Sequence, residues 1–249
     1  MFLVLNKKRV IAVVLIIVLL IIGAGIGIGI NETSAQNRPV PIYSVDCNEN
    51  KVALTFDCAW GADKTRGIMD LIEGAGYKCT FFITGFWLDA NQELVKEIHT
   101  RGHQIANHSE NHPHLSKVDK ETLEKEINSV NDKIKALTGE NVTCFRAPFG
   151  EYDNRLLETL NSKNMLCIQW SIDSLDWKGI SGKEITERVA NRLKSGDIVL
   201  FHNNSDHILE ALPLILASVK NKGLESVRVD ELVYFENYKI DAEGKQIKK

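Results

Sequence analysis

Basic residues are not in excess in this chain of 249 residues, which has 30 lysines and arginines against 33 aspartates and glutamates. The formal net charge is -3 at pH 7. A protein that binds nucleic acid needs a basic surface, because it has to displace counterions from the phosphates. The composition therefore argues against a nucleic-acid partner and against a polyanion held mainly by charge.

The cysteines lack the spacing of a zinc ribbon or of a disulfide framework. There are five, an odd number, and no two of them form a CxxC pair. Three of them, Cys79, Cys144 and Cys167, lie in apolar runs typical of strands, where a small buried thiol is the ordinary interpretation. Cys58 differs, because it follows an aspartate at the end of such a run.

Charged and amide side chains are absent from residues 10–30. A helix of this length rises roughly 31 Å, enough to cross the hydrocarbon core of a bilayer. Basic residues at positions 7–9 precede it, and the positive-inside tendency then keeps residues 1–9 in the cytoplasm. We therefore expect a single-pass membrane protein with an extracytoplasmic catalytic domain. The alternative is a signal peptide cut near the small residues at 33–35, although the apolar region of a signal peptide is usually ~7–15 residues long.

The rest of the chain divides into a polar linker at 31–47, one domain at 48–235 and a polar tail at 236–249 that we expect to be frayed. The domain's predicted strands are 52–56, 80–84, 104–107, 143–145, 167–172, 198–201 and 226–229. The predicted helices are 64–75, 92–101, 120–138, 154–162, 183–194 and 208–222. Such alternation predicts an α/β fold with a parallel sheet, either open or closed as a barrel, and both place ligands at the carboxyl ends of the strands.

The helix at 120–138 has the clearest pattern. Its apolar residues recur every three or four positions and form one stripe, which consists of Leu123, Ile127, Val130, Ile134 and Leu137. The charged residues between them, Glu126 and Lys133 among others, are expected on the solvent side. This pattern predicts a helix with a scaffold role.

Polar side chains that come directly after predicted strands are the candidate site. Asp57 follows the first strand, where a carboxylate can act as a base or simply cap the next turn. His108 and His112 are four residues apart, so in a helical turn both imidazoles would face one metal ion at ~2.0–2.1 Å. A chance histidine pair on an exposed helix is the alternative.

Three further strand ends carry candidate groups. Arg146 offers a guanidinium fork that can orient a carboxylate, with a solvent-facing arginine as the alternative. Asp176 and Trp177 provide a carboxylate and an indole at one rim. His202 follows the next strand and can act as a general acid, because an imidazole titrates near neutrality.

These groups occur in a fixed order along the chain. The order is Thr55-Phe56-Asp57, His108-x3-His112, Arg146-x-Pro148-x-Gly150, Asp176-Trp177 and Leu200-x-His202. In this order the sequence resembles the polysaccharide deacetylase, or NodB-homology, family over residues 51–233. The amino-acid sequence at residues 57–61 and 174–177 is similar to that of a membrane-anchored subset of the family from spore-forming bacteria. The resemblance implies a distorted (β/α) barrel of about seven strands.

The resemblance also implies a divalent metal ion, most simply zinc, held by His108 and His112. A backbone N–H near Phe149 would help the metal to stabilise the oxyanion. The family has a second acidic residue as third ligand where this chain has Cys58. A thiolate there would favour zinc, whereas a buried thiol would leave two protein ligands.

The remaining residues receive acid-base and binding roles from the same resemblance. Asp57 would be the general base, fixed by Arg146, and His202 would protonate the leaving amine. Asp176 would set the charge state of His202, and Trp177 would line the acetyl pocket.

The expected activity is hydrolysis of N-acetyl groups on an extracytoplasmic polysaccharide, with cell-wall or spore peptidoglycan as the expected substrate. Two alternatives remain open at this point. One is a catalytically silent wall-binding protein with a degraded metal site, and the other is an esterase that removes O-acetyl groups.

Overall fold

Parallel strands form the central sheet of the structure, a computed structural model that describes residues 39–249. The strands are β1 (Ser44–Val45), β2 (Lys51–Cys58), β3 (Thr80–Ile83), β4 (Gln104–Asn107), β5 (Cys144–Phe145), β6 (Leu166–Cys167), β7 (Ile172–Asp173), β8 (Ile198–His202), β9 (Glu225–Ser226), β10 (Tyr238–Ile240) and β11 (Lys245–Lys248). The helices are α1 (Thr65–Gly74), α2 (Gly85–Ala90), α3 (Gln92–Thr100), α4 (Lys120–Thr138), α5 (Asn154–Ser162), α6 (Gly182–Ala190), α7 (Ile208–Asn221) and α8 (Val229–Leu232). All six predicted helices are present, and α4 and α5 have the predicted bounds.

The sheet runs β6-β5-β4-β3-β2-β8-β7, and every neighbouring pair in it is parallel. β9 pairs with the first residues of β2 outside this path. The predicted strand at 167–172 is wrong, because it is two strands, β6 and β7, at the two opposite edges of the sheet. Only residues 168–171 connect them, and an extended chain of that length reaches at most ~17 Å. The two edges therefore approach each other and the sheet curls.

The expected distorted (β/α) barrel is confirmed in part, because the seven parallel strands form an α/β half-barrel whose edge strands β6 and β7 do not pair with each other. Alternate residues of β2 face its two sides. The even-numbered residues pack with α1 and α7 in one apolar core, where a fully buried side chain such as Phe56 contributes about 1.5–3 kcal/mol. The odd-numbered Ala53, Thr55 and Asp57 face the inside of the half-barrel.

The register between strands places polar side chains side by side. Asp57 of β2 is the Cα partner of His202 of β8 and of Phe82 of β3. Residues in register on parallel strands project from the same face of the sheet. The carboxyl ends of β2 and β8 therefore present a carboxylate and an imidazole to one space.

Helix α4 follows the prediction at both ends. Asp119 accepts a hydrogen bond from the Thr122 amide at 2.7 Å, and Gly139 ends the helix with φ of 80°. Four residues of its apolar stripe are buried as predicted, and Leu137 is partly buried. The prediction for Glu126 is wrong, because this carboxylate is buried and faces the loop after β4.

The C-terminal tail is ordered rather than frayed. β10 and β11 form an antiparallel pair, and β11 lies parallel to β1. The side chain of Gln246 is fully buried, accepts a hydrogen bond from Tyr234 N at 2.9 Å and donates one to Tyr234 O at 2.6 Å. The tail therefore forms a second, three-stranded sheet.

In residues 39–249, no helix combines the length and the apolarity that a membrane span requires. The predicted anchor at 10–30 lies outside the residues that the structure describes.

Candidate active site

A cavity of about 660 Å³ opens at the carboxyl ends of the sheet strands. Most of the predicted site residues line it, namely Asp57, His108, His112, Phe149, Asp176, Trp177 and His202. Arg146 is fully buried and contacts Asp57. The structure thus brings together groups that lie in five separate parts of the sequence.

Asp57 is held by a buried arginine. Arg146 Nη1 donates to Asp57 Oδ1 at 2.7 Å and to Thr55 Oγ1 at 2.8 Å, and its guanidinium lies 4.0 Å from the ring centre of Phe82. Burial by itself raises the pKa of the Asp57 carboxyl, but the positive charge of Arg146, together with His202 and the hydrogen bond from Arg146, outweighs it, so the pKa lies below its ordinary value. Asp57 is therefore ionised at neutral pH and can accept a proton.

His108 is fixed by its own neighbours. Its Nδ1 donates to the carbonyl of Arg146 at 2.8 Å, because a carbonyl can only accept. Its Nε2 lies 3.5 Å from Asp57 Oδ2. Burial lowers the pKa of His108, so the imidazole is neutral and its Nε2 lone pair faces the cavity.

His112 lies beside His108 as predicted, but it is not on the helical turn that the sequence spacing suggested. The segment after β4 is a loop and not a helical turn, and Ser109 and His112 have φ of 69° and 55°. Such left-handed backbone costs of order 1–3 kcal/mol at each residue. The loop nevertheless brings the His112 ring to 4.9 Å from that of His108, at an angle of 73°. Burial lowers the pKa of His112 to about 4.

Cys58 is not among the side chains of this cavity, which corrects its assignment as a metal ligand. It is the residue after Asp57 on β2 and therefore points to the opposite face of the sheet. The thiol is fully buried in the apolar core with Phe56 and Ile83. That burial raises the pKa of Cys58 well above its ordinary value, so it stays protonated and offers no thiolate.

The donor set fits a divalent ion through two imidazoles. His108 and His112 are neutral and adjacent, as metal-binding histidines must be. No third ligand joins them at position 58. Among residues 39–249, no group of three or more His, Cys, Asp or Glu is arranged to hold a metal.

A second pair of hydrogen-bonded ionisable groups lines the same cavity. Asp176 Oδ1 accepts from His202 Nδ1 at 2.8 Å, and Asp176 Oδ2 accepts from the His202 backbone amide at 2.8 Å. Burial lowers the pKa of His202, but the hydrogen bond and the charge of the buried Asp176 raise it above its ordinary value. His202 therefore carries a proton more readily than a free histidine.

Exposed aromatic rings surround the opening. Trp60, Phe149 and Trp177 are 60%, 55% and 58% exposed and all line the cavity. Phe149 has φ of 60° and lies between the rings of His112 and His114, at 4.6 and 4.3 Å. The sequence prediction missed Trp60, although it follows β2 by two residues and so carries the strand-end signal.

The chain is similar to known proteins in both sequence and structure. The family model described as polysaccharide deacetylase matches residues 44–168. The chain is 31% identical to a peptidoglycan-N-acetylglucosamine deacetylase of Bacillus cereus, over 76% of this chain and 70% of that protein. It is 29% identical to the uncharacterized protein YlxY of Bacillus subtilis, over 79% of this chain, and spans 61% of that protein's length.

A solved structure adds a relative of another kind. A CE4 family pseudoenzyme from Bacillus anthracis is 27% identical, with a TM-score of 0.75 over 84% of this chain and 71% of that one. A mutant of this pseudoenzyme has restored enzymatic activity and the same TM-score. The expected enzyme class, a hydrolase of the polysaccharide deacetylase type, is confirmed through the named deacetylases. The chain belongs to the polysaccharide deacetylase family.

Proposed function

We propose that this protein removes N-acetyl groups from peptidoglycan. One observation carries the proposal: the pairs Asp57–Arg146 and Asp176–His202 face the same cavity, one poised to accept a proton and the other to donate one. Opposite protonation states at two groups of one site are what acid-base hydrolysis requires. The peptidoglycan deacetylases among the relatives support the choice of substrate.

Asp57 is the proposed general base. Its ionised carboxylate takes a proton from a water molecule as the water oxygen adds to the acetyl carbon. Arg146 keeps the carboxylate ionised and fixes its direction through the hydrogen bond to Oδ1. Because Arg146 is fully buried, water does not compete for this hydrogen bond.

His202 is the proposed general acid. Its Nδ1 is held by Asp176, so Nε2 is the atom that delivers a proton to the amide nitrogen while the carbon–nitrogen bond breaks. The products are acetic acid, which ionises to acetate in solvent, and a free amine on the sugar. Asp57 then releases to solvent the proton that it took from water, and His202 takes one up, which returns the site to its starting state.

The exposed aromatic rings at the rim fit a sugar substrate. The indole ring faces of Trp60 and Trp177 are apolar and exposed, so they can pack against the C–H face of a pyranose while the hydroxyls of the sugar stay in water. We assign Phe149 and Trp177 to substrate binding, with Trp60 as an addition to the residues proposed from the sequence.

Zinc is the proposed metal, held by His108 and His112. A bound divalent ion would polarise the acetyl carbonyl and lower the pKa of water. Imidazole ligands suit zinc among several transition metals. With Cys58 turned to the core, the preference that a thiolate would add is lost.

A wall-binding protein without turnover is the second candidate. Two observations favour it: the structure supplies no third protein ligand at position 58, and a pseudoenzyme is among the structural relatives. Such a protein would use the same cavity and the same aromatic rim to hold glycan chains.

We also propose a membrane-anchored protein of the spore-forming type with an extracytoplasmic domain. This proposal is supported by the uncharged segment at 10–30, by the basic residues at 7–9 and by the amino-acid sequence at 57–61.

Acetate release from peptidoglycan and from chitooligosaccharides by the full chain, with and without added Zn²⁺, tests the proposal. We expect release that Asp57→Asn reduces by ~10²–10⁴-fold, as for other general bases. Asp63→Asn is the matched control, because Asp63 is exposed near the same strand end. Peptidoglycan binding without acetate release at any metal concentration would instead establish the wall-binding protein.

A further inference from the structure

The loop between the two histidines is held by helix α4, which the sequence pattern marks as scaffold. Both carboxylate oxygens of Glu126 accept hydrogen bonds from Asn111. The backbone amide of Asn111 donates to Oε2 at 2.8 Å and its Nδ2 donates to Oε1 at 2.7 Å. Asn111 is the residue directly before His112.

Glu126 is unusual for a carboxylate on this helix. It is only 6% exposed, while Asn111 lies on the surface. A buried carboxylate is tolerated when its oxygens are hydrogen-bonded, and here the two bonds to Asn111 meet that need. The contact therefore joins a buried group of the scaffold to an exposed loop of the site.

The loop depends on such contacts, because its backbone is not regular. Ser109 and His112 both lie in the left-handed region. The amide of Ser109 donates to Asn107 Oδ1 at 2.8 Å and the amide of His112 donates to Ser109 Oγ at 3.0 Å. Glu126 binds Asn111, which lies between Ser109 and His112, and so holds this part of the loop against helix α4.

Further bonds tie the loop to the fold at other points. Gly85 N and Phe86 N donate to the carbonyls of Ser109 and Glu110 at 3.0 and 3.2 Å. Ser129 Oγ donates to Glu110 Oε2 at 2.8 Å. Removing the Glu126 link should therefore loosen the His112 end of the loop without unfolding the domain.

We propose that Glu126 is a positioning residue for the reaction: by holding Asn111 it keeps the His112 imidazole beside His108 at the cavity. The proposal rests on the proposed function for its effect on turnover. The contact between Glu126 and Asn111 itself is independent of that function.

The hydrogen-bond pattern permits an exchange of partners as the test. Glu126→Ala removes both acceptors from Asn111, whereas in Asn111→Asp two carboxylates face each other. In the double variant, which combines Glu126→Gln with Asn111→Asp, the introduced amide can accept from the backbone N–H and donate to the introduced carboxylate, so both hydrogen bonds return. Glu124→Ala is the matched control, because Glu124 lies on the same helix and is far more exposed.

Hydrogen exchange of individual backbone amides is the first measurement. In each single variant we expect the amides of Asn111 and His112 to exchange about tenfold faster or more, while the slow amides of β2 and β3 are unchanged. The double variant should recover most of that protection, and Glu124→Ala should behave as wild type. Wild-type protection at both amides in Glu126→Ala, or equal acceleration throughout the domain, would overturn the proposal.

Steady-state kinetics and Zn²⁺ titration of the same four variants form the second measurement. Both single variants should lose about tenfold or more in kcat or in zinc affinity, the range seen when residues that orient metal ligands are changed. The double variant should regain most of it. Absence of acetate release by the wild type would refute the proposed function, whereas the exchange data would still decide the role of Glu126.

Discussion

Asp57 and His202 lie in register on adjacent strands, yet their environments shift the two pKa values in opposite directions. Each has one dominant partner of opposite charge, a guanidinium for Asp57 and a carboxylate for His202. An opposite charge at hydrogen-bond distance stabilises the ionised form of each group. At neutral pH the site therefore holds a carboxylate and a histidine with raised proton affinity side by side.

The rate of hydrolysis should follow a bell-shaped pH profile. It falls as the pH drops through the pKa of Asp57, which lies below its ordinary 3.8, because the base becomes protonated. It falls as the pH rises through the pKa of His202, which lies above its ordinary 6.5, because the acid loses its proton. Asp176→Asn should move the alkaline limb of kcat/KM to lower pH by about one unit or more. An alkaline limb that stays in place would contradict the pairing as its cause.

Cys58 is a core residue, and its replacement should report on packing alone. Cys58→Ala should leave zinc affinity and turnover unchanged, because the thiol faces away from His108 and His112. It should lower the free energy of unfolding by on the order of 1 kcal/mol, since a small buried group is removed. Zinc titration and urea unfolding measure the two effects. A loss of zinc affinity beyond that of Cys167→Ala, another buried cysteine, would return Cys58 to the ligands.

At the scale of secondary-structure elements, the short strands near the chain ends were the hardest to predict. β10 has three residues and β11 has four, and β11 is mostly polar, so neither gives the run of alternating residues that marks a half-buried strand. Their stability comes from pairing with each other and with β1, which is distant in sequence. Tertiary pairing thus overrides a weak local propensity here.

Gln246 links the tail to the domain and offers a test of this sheet. Gln246→Ala should lower the free energy of unfolding by about 1–3 kcal/mol, because the backbone groups of Tyr234 lose their buried partners. Urea denaturation monitored by tryptophan fluorescence measures this. The exposed Gln92 is the control, and Gln92→Ala should change stability much less. Equal effects of the two substitutions would show that the tail is frayed after all.

At the scale of the whole molecule, the curled sheet explains why distant motifs meet. Arg146 and Asp57 are separated by 89 residues, and His202 and Asp176 by 26. β6 and β7 at the two edges are joined by residues 168–171, which brings the strand ends around one cavity. The outer helices fill the other face with apolar side chains and leave the polar groups to the inside.

The topology of the intact protein remains a prediction from residues 7–30. Protease added to protoplasts should digest the domain at 48–235, and the mature chain should begin at its first residues, because basic residues precede an uncharged span of sufficient length. Immunoblotting and N-terminal sequencing check both points. A soluble product that begins near residue 36 would show a cleaved signal peptide instead.

The sequence by itself determined the family, six of the eight α-helices in residues 39–249 and the order of the polar groups at the strand ends, because each depends on local spacing that a linear pattern preserves. Only the tertiary structure decided which way Cys58 faces, how a loop rather than a helix joins His108 to His112, and that Glu126 is buried beneath that loop. The residue after Asp57 looks like a ligand in one dimension, but a strand turns consecutive side chains to opposite faces. Contacts across long sequence separations then determine which of those faces holds the site.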